Sequence, residues 1–476
     1  MAKSVTKDLT VGSPVKQILL FAIPFLIGNV FQQVYNIADM IIVGRTMNPL
    51  AYAAVGSTGS LVWFVTGPIG GISAGFSAIV AQHFGAGDEQ KVKQAFASSI
   101  KLFVIIAALM SVGFVFLARP LLHILRTPDT LMSDAYSYVV WIFAGLVATA
   151  MYNLLSSVIR ALGDSRTPLY FLILACLINI VLDVVFIKFC GWGTAGAGIA
   201  TVTAQLISGL MCVVYIAKKL PILHISSRHF KSNSKMDSSL LKIGLPMGFL
   251  QMILAIGSII VQFVTNGFGD TYVSSQVTGA KIEQFITQVV LSLGSAVAVF
   301  ASQNYGAKKY GRVIDGCKKT VIISFIWSII APLVMLPLGK LIIRLVAGNV
   351  DSVVVDNAYT YILINTVFIF VLGPLVIIKS ILPAVGITRW TMVSGFTEVV
   401  GRAGIAVLVV TLTALNAVSG PVGFIIVCFS NPAAWLFGLL TVLIDYIGMR
   451  KKFIRLIKDQ IENAGEGVLA DAKTHG

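Results

Sequence analysis

Two acids lie where a bilayer should be. The stretch from Val15 to Arg45 is apolar and long enough to cross a membrane, for which about 20 residues suffice, yet it contains Pro24 and Asp39. A second apolar stretch carries Asn179 and, one helical turn on, Asp183. An ionisable group inside a span costs about 3 kcal/mol even on the mildest insertion scales, so something must offset it. Gly28, Gln32, Tyr35 and Asp39 are spaced i, i+4, i+7 and i+11 and share one helical face, which cannot point at lipid. Measured from the outer ends of their spans, Asp39, Asp183 and Thr201 reach similar depth, with Tyr35 and Asn179 one turn deeper. Two carboxylates, an amide, a phenol and a hydroxyl are hard oxygen donors. They suit protons, or a bare Na+ held by Asp39, Asp183, Asn179 and Thr201. Two carboxylates close together in a low dielectric do not both stay charged cheaply: a proton is shared or a cation sits between them.

The elements that would position these groups are helical. Of 476 residues, 57% are hydrophobic and 12% charged, against about 25% charged in soluble domains, and the mean hydropathy is +0.90. This composition predicts an all-α polytopic membrane protein. Twelve spans can be drawn, at roughly 15–43, 52–81, 94–117, 135–161, 168–188, 195–217, 240–266, 273–302, 316–337, 358–384, 391–413 and 421–447. Lysine and arginine crowd alternate loops, including Lys91 and Lys93, Arg160 and Arg166, Lys218 and Lys219, and Lys308 and Lys309. By the positive-inside rule this puts both termini in the cytoplasm and the chain in the cell membrane. The same rule accounts for the net charge of +15 without a nucleic-acid partner. Lys3, Lys7 and Lys16 precede a span too long for a cleavable signal. The five cysteines are scattered and read as small packing residues.

The chain repeats itself. Ala81-Gln82-His83-Phe84-Gly85-Ala86 returns as Ser302-Gln303-Asn304-Tyr305-Gly306-Ala307. Ala161-Leu162-Gly163-Asp164-Ser165-Arg166 returns as Ala384-Val385-Gly386-Ile387-Thr388-Arg389, and Pro24 as Pro246. The offset is about 222 residues each time. Each repeat holds an even number of spans, so both enter from the same side. This predicts two six-helix bundles related by a pseudo-two-fold axis along the membrane normal. The implied division is residues 1–217 for the first bundle, 218–239 for a solvated cytoplasmic linker, 240–447 for the second bundle and 448–476 for a basic cytoplasmic tail. The tail reads either as a helix lying on the inner leaflet or as an extension of the last span.

The second repeat has charges of its own. Glu398 and Arg402 are i, i+4, a spacing that allows a structural ion pair. Glu283 is free to act as a counter-charge for a cationic substrate, and Lys379, one turn from the cytoplasmic end, reads as a snorkelling side chain. Pro24 denies the Leu20 carbonyl its helical partner, which marks a place for the first span to bend.

In their order and spacing these residues resemble the multidrug and toxic compound extrusion (MATE) transporters, bacterial type, over essentially the whole chain. The resemblance rests on Pro24, Tyr35 and Asp39; on Ala81-Gln82 with Gly85-Ala86-Gly87; on Gly163-Asp164-Ser165-Arg166-Thr167-Pro168; on Asn179-Ile180-Val181-Leu182-Asp183; and on the repeated Gln303 and Gly386 motifs. It implies a multidrug efflux antiporter that expels organic cations against an inward flow of H+ or Na+ by alternating access, with Tyr35, Asp39, Asn179, Asp183 and Thr201 as the coupling site. Beyond the coupling ion it implies no cofactor. A monomer in the lipid bilayer is expected. Some branches carry acids in the seventh and tenth spans; this chain has Gln251 and Lys379 there.

Other classes fit less well. A flippase for lipid-linked precursors shares the two-bundle plan but calls for a basic cavity. An enzyme would need a nucleophile–base pair or metal ligands, and all five histidines fall in loops, span ends or the tail. ATP-driven export would need a GxxxxGK[ST] loop, which the sequence lacks.

Overall fold

The computed structural model describes residues 6–47, 49–125, 127–231, 233–348 and 350–474; the side chains of 35–41, 45, 49 and 464–474 fall outside that description. The regular structure among the described residues is all helical, with no strand. The first half contains α1 (Pro14–Thr46), α2 (Pro49–Ser57), α3 (Gly59–Gly85), α4 (Glu89–Ile124), α5 (Asp129–Ala144), α6 (Leu146–Ala161), α7 (Arg166–Asp183) and α8 (Gly193–Lys219). The second contains α9 (Ser234–Asn266), α10 (Asp270–Gly306), α11 (Tyr310–Ala347), α12 (Ser352–Val367), α13 (Ile369–Ala384), α14 (Arg389–Ala414), α15 (Gly420–Cys428) and α16 (Ser430–Thr474). Ten stretches are each long and apolar enough to cross a membrane. Two bent pairs, α5 with α6 at 49° and α12 with α13 at 53°, complete the twelve. Those pairs are the fourth and tenth spans, the same place in each repeat.

The helices stop where the sequence repeats. Gly163 (φ +91°) follows α6 and Gly386 (φ +85°) follows α13, so both spans end on a residue in the left-handed region that glycine enters without a Cβ penalty. The corresponding turns after α3 and α10 also match. Gly87 (φ 72°) and Lys308 (φ 57°) hold equivalent places, although only one of them is a glycine.

The two bundles exchange the halves of their first helices nearest the termini. Leu9, Ile18, Phe21 and Ala22 join the core of the second bundle, while Met236, Leu240 and Ile243 join that of the first. Accordingly α1 packs on α10 and α9 packs on α3, and these contacts are mates under the two-fold. The α3–α9 crossing is close because glycine meets glycine: a methyl on Gly75 would lie 2.7 Å from the Gly244 Cα. Farther along, α1 returns to its own bundle and packs on α7. Pro24 lies inside α1, which continues through it as a single helix.

The segment before α1 and the tail after the last span meet at one face. Leu9 bonds to Gln303 and Asn304, and Phe453 of α16 packs on Tyr305 and Tyr310 at the same end of α10 and α11. The tail therefore extends the last span as one helix, with Phe453 buried against protein while Ile454 and Ile461 stay exposed. The stretch between the repeats is more than a solvated connector. Its two short 3-10 turns, Pro221–Leu223 and Ser227–Phe230, pack on α4, and Leu220 and Leu223 are fully buried.

Candidate functional site

The first-bundle acid stands on α7, where Asn179 and Asp183 are one turn apart and both fully buried. That helix packs against α1 on one side and α8 on the other. Immediately after Asp183 the chain widens into a π-helical segment, Val184–Phe189, an irregularity that recurs at functional sites in helices. Thr201 lies on α8, and its hydroxyl donates to the Ala197 carbonyl one turn back (3.1 Å). Asp39 and Tyr35 lie on α1, but their side chains fall outside the described residues. The carboxylate and amide are thus buried on a helix that packs against both helices carrying the other three sequence-predicted residues.

Between the bundles is a cavity of about 440 Å³. Pro24, Gly28 and Gln32 of α1 line it, with Gln205 of α8, Gln251 of α9 and the small residues of α3 and α10. Its floor lies on the face that holds the termini, and that floor is sealed in a reciprocal way. Gln82 donates from Nε2 to the Ala384 carbonyl, the last residue of α13, at 2.8 Å. Gln303 donates from Nε2 to the Ala161 carbonyl, the last residue of α6, at 2.8 Å. Each repeat's glutamine caps the other repeat's fourth span, satisfying a carbonyl that helix geometry leaves without a partner. The Gln303 Oε1 also accepts the Leu9 N–H at 2.9 Å, so the segment before α1 is laid across the seal. Lys309 and Arg312 tie down Thr10 and Gly12 beside it. Among the described residues, the cross-bundle hydrogen bond farthest from this face is Asn29 Nδ2 to Ser292 Oγ at 3.2 Å.

One cavity group was missed by sequence reasoning, which counted Arg160 only with the basic residues of the cytoplasmic side. It is the penultimate residue of α6 and lines the cavity. Its Nη2 donates to the hydroxyls of Ser156 and Ser157, 3.1 Å each, and its guanidinium lies 5.1 Å from the Phe25 ring centroid. The signal was the run Ser156-Ser157-x-x-Arg160, whose i+3 and i+4 spacing lets both hydroxyls reach the same side chain.

The second-bundle charges are arranged differently from the sequence expectation. Glu398 pairs with Lys379 on α13, and both side chains are largely buried. Lys379 therefore does not snorkel, and the expected Glu398–Arg402 pair is replaced: the neighbouring helix brings a buried ammonium directly onto the carboxylate. Arg402 turns to Asn431 of α16, donating from Nε to Oδ1 at 3.3 Å. Glu283 accepts from the Tyr361 hydroxyl at 2.7 Å and from Asn431 Nδ2 at 3.4 Å. Four helices, α10, α12, α14 and α16, thus close a polar cluster inside the second bundle. Glu283 is engaged there and is not among the residues lining the cavity.

Comparison with known proteins agrees with this architecture. The chain is 31% identical over 284 residues to the probable multidrug resistance protein YpnP of Bacillus subtilis, a match that spans 59% of this chain and 62% of that protein. It is 24% identical over 464 residues to the probable multidrug resistance protein YoeA of the same organism, spanning 95% and 98%. A solved multidrug resistance MATE family transporter in an outward-facing conformation superposes with a TM-score of 0.84 at 20% identity, covering 96% of this chain and 99% of that one. At that identity the superposition speaks to fold. The MatE family model matches residues 24–185 and again 246–408, once in each repeat and over more than half of the chain. The chain belongs to the MatE family, and with it to the membrane transporters.

Proposed function

We propose that this protein is a multidrug efflux antiporter that expels organic cations and other amphipathic xenobiotics in exchange for H+ or Na+. One observation carries the reading: a cavity of about 440 Å³ lies between two pseudo-symmetric bundles and is sealed on the face of the termini by the paired glutamines. Such an arrangement suits alternating access, in which breaking one seal and making another exposes the cavity to each side in turn. With the basic loops in the cytoplasm, the sealed face is the cytoplasmic one and the cavity faces outward.

The coupling ion acts in the first bundle. Asp183 and Asn179, with Asp39, Tyr35 and Thr201, form its site. Protonation or Na+ binding removes the cost of two charged acids in a low dielectric and favours a bent first span at Pro24. The bend would narrow the cavity and push substrate outward. Cells making the protein should accumulate less ethidium, and collapsing both ion gradients should abolish the difference. Efflux that follows ATP alone, with gradients absent, would refute antiport.

Arg160 favours a second reading. A flippase for lipid-linked precursors calls for a basic group in the cavity, and here one is present.

A further inference from the structure

The proposed export path has a charge that organic-cation transport does not explain. Arg160 is the one charged side chain among the described residues lining the cavity. An arginine does not shed its proton at any accessible pH. No carboxylate lies within ion-pair distance of it among the described residues, and only Nη2 has protein acceptors, the two serine hydroxyls. A guanidinium offers five N–H donors. The others have no protein partner among the described residues. Ser156 and Ser157 hold the guanidinium in place, and Phe25 covers one face of it. This is a positioned cation with donors to spare at the end of a cavity whose remaining wall mixes amides and hydroxyls with Phe25, Tyr152, Leu169 and Leu172.

We infer that Arg160 is the anion-binding subsite of the cavity, and that its ligand is an amphipathic molecule bearing a carboxylate or phosphate. A carboxylate or phosphate oxygen can accept a charge-assisted N–H bond from the Nη1 or Nε donors that the serines leave free, a bond roughly twice as strong as one between neutral groups. The apolar body of the ligand lies along Phe25 and Tyr152. A zwitterion can place its acid here while its cationic part occupies the wider region above. The inference rests on the cavity being the transport path. It adds that acid-bearing amphiphiles, whether xenobiotic carboxylates or lipid phosphates, are ligands in their own right.

The test uses the full chain in detergent micelles and two fluorescent probes of one xanthene scaffold, a dye with a free carboxylate and its methyl ester. Fluorescence polarisation gives the affinity ratio of acid to ester. The wild type should prefer the acid, and Arg160→Gln should lower the ratio by about tenfold or more, the size expected for a hydrogen bond to a charged group. Arg160→Lys, which keeps the charge and loses the serine-held guanidinium, should fall between them. Displacement of the acid dye by dioctyl phosphate, with no displacement by a dialkyl carboxylate, marks a lipid-phosphate ligand; the opposite order marks a xenobiotic acid. Either order supports the subsite. A wild type that prefers the ester overturns the inference without any variant being needed. An equal ratio in wild type and a folded, monodisperse Arg160→Gln also overturns it. Gradient-driven export of the ester from vesicles is read separately. Its absence in the wild type would overturn the export reading, whatever the affinity ratio.

Discussion

Gly85 of α3 and Gln303 of α10 touch backbone to backbone: a methyl group on Gly85 would overlap the Gln303 carbonyl. The mate of this contact under the two-fold is Gly306 against the Gln82 carbonyl, with the same overlap. The sealed face of the cavity is thus a pair of backbone approaches that only glycine permits, each beside a glutamine that caps the opposite bundle.

Adding a methyl there should push the bundles apart. Overpacking a close contact costs about 1–3 kcal/mol, enough to shift a two-state equilibrium by about tenfold or more. Gly85→Ala and Gly306→Ala should populate a conformation opened on this face. Spin labels at Glu89 and Lys308, both exposed, should report a longer distance in either variant. An unchanged distance distribution would show that the seal yields without opening.

The glutamines should differ in cost. Gln303 is fully buried and serves both Ala161 and Leu9, whereas Gln82 is less buried and serves Ala384 alone. Stranding a buried polar partner costs about 1–3 kcal/mol, so Gln303→Leu should lower the thermal midpoint in detergent more than Gln82→Leu. The same order of midpoints reversed would contradict the geometry.

A second stability test addresses the buried Lys379–Glu398 pair. Removing one partner of a buried pair costs about 3–5 kcal/mol, since the other is left charged and alone. Glu398→Gln should sharply reduce folded protein in the membrane, and the double variant with Lys379→Met should recover a large share of it. Arg402→Gln should show no such recovery when combined with Glu398→Gln. Rescue of Glu398→Gln by Arg402→Gln instead would reinstate the pair expected from spacing alone.

Much of this was legible before any coordinates. The offset of about 222 residues foretold matched spans, and the bends at 49° and 53° fall in equivalent helices. The repeated glutamine and glycine motifs foretold a shared place at one membrane face, since Gln82 with Gly85 and Gln303 with Gly306 meet across the seal. What escaped was whatever depends on a neighbouring helix. Lys379 and Glu398 are distant enough in sequence that only packing pairs them, while the i+4 rule drew attention to Arg402. Arg160 was lost differently: a charge at a span end was counted with the basic loops, although two serines one turn back hold it inside α6. The exchange of helix halves was invisible because nothing in the pattern of α1 or α9 says which bundle takes the apolar residues of their first turns.

Orientation can be read with a membrane-impermeant thiol reagent in whole cells, using single cysteines at Ser232 and Asp129 in a background without the native cysteines. Labelling of Asp129→Cys alone is the expected result, with both termini cytoplasmic. Labelling of Ser232→Cys alone would invert the assignment.

The central claim is that an ion gradient drives export through the acids of the first bundle. Its most direct test is efflux of ethidium from vesicles with an imposed Na+ gradient at fixed pH, and in parallel an imposed pH gradient without Na+. Wild type, Asp39→Asn, Asp183→Asn and the double variant would be compared at matched expression. The amide is isosteric and uncharged, so each variant should fold. Wild-type efflux under at least one gradient, lost in all three variants, is the predicted result. Efflux at the wild-type rate by the well-expressed double variant under the same gradient would contradict it.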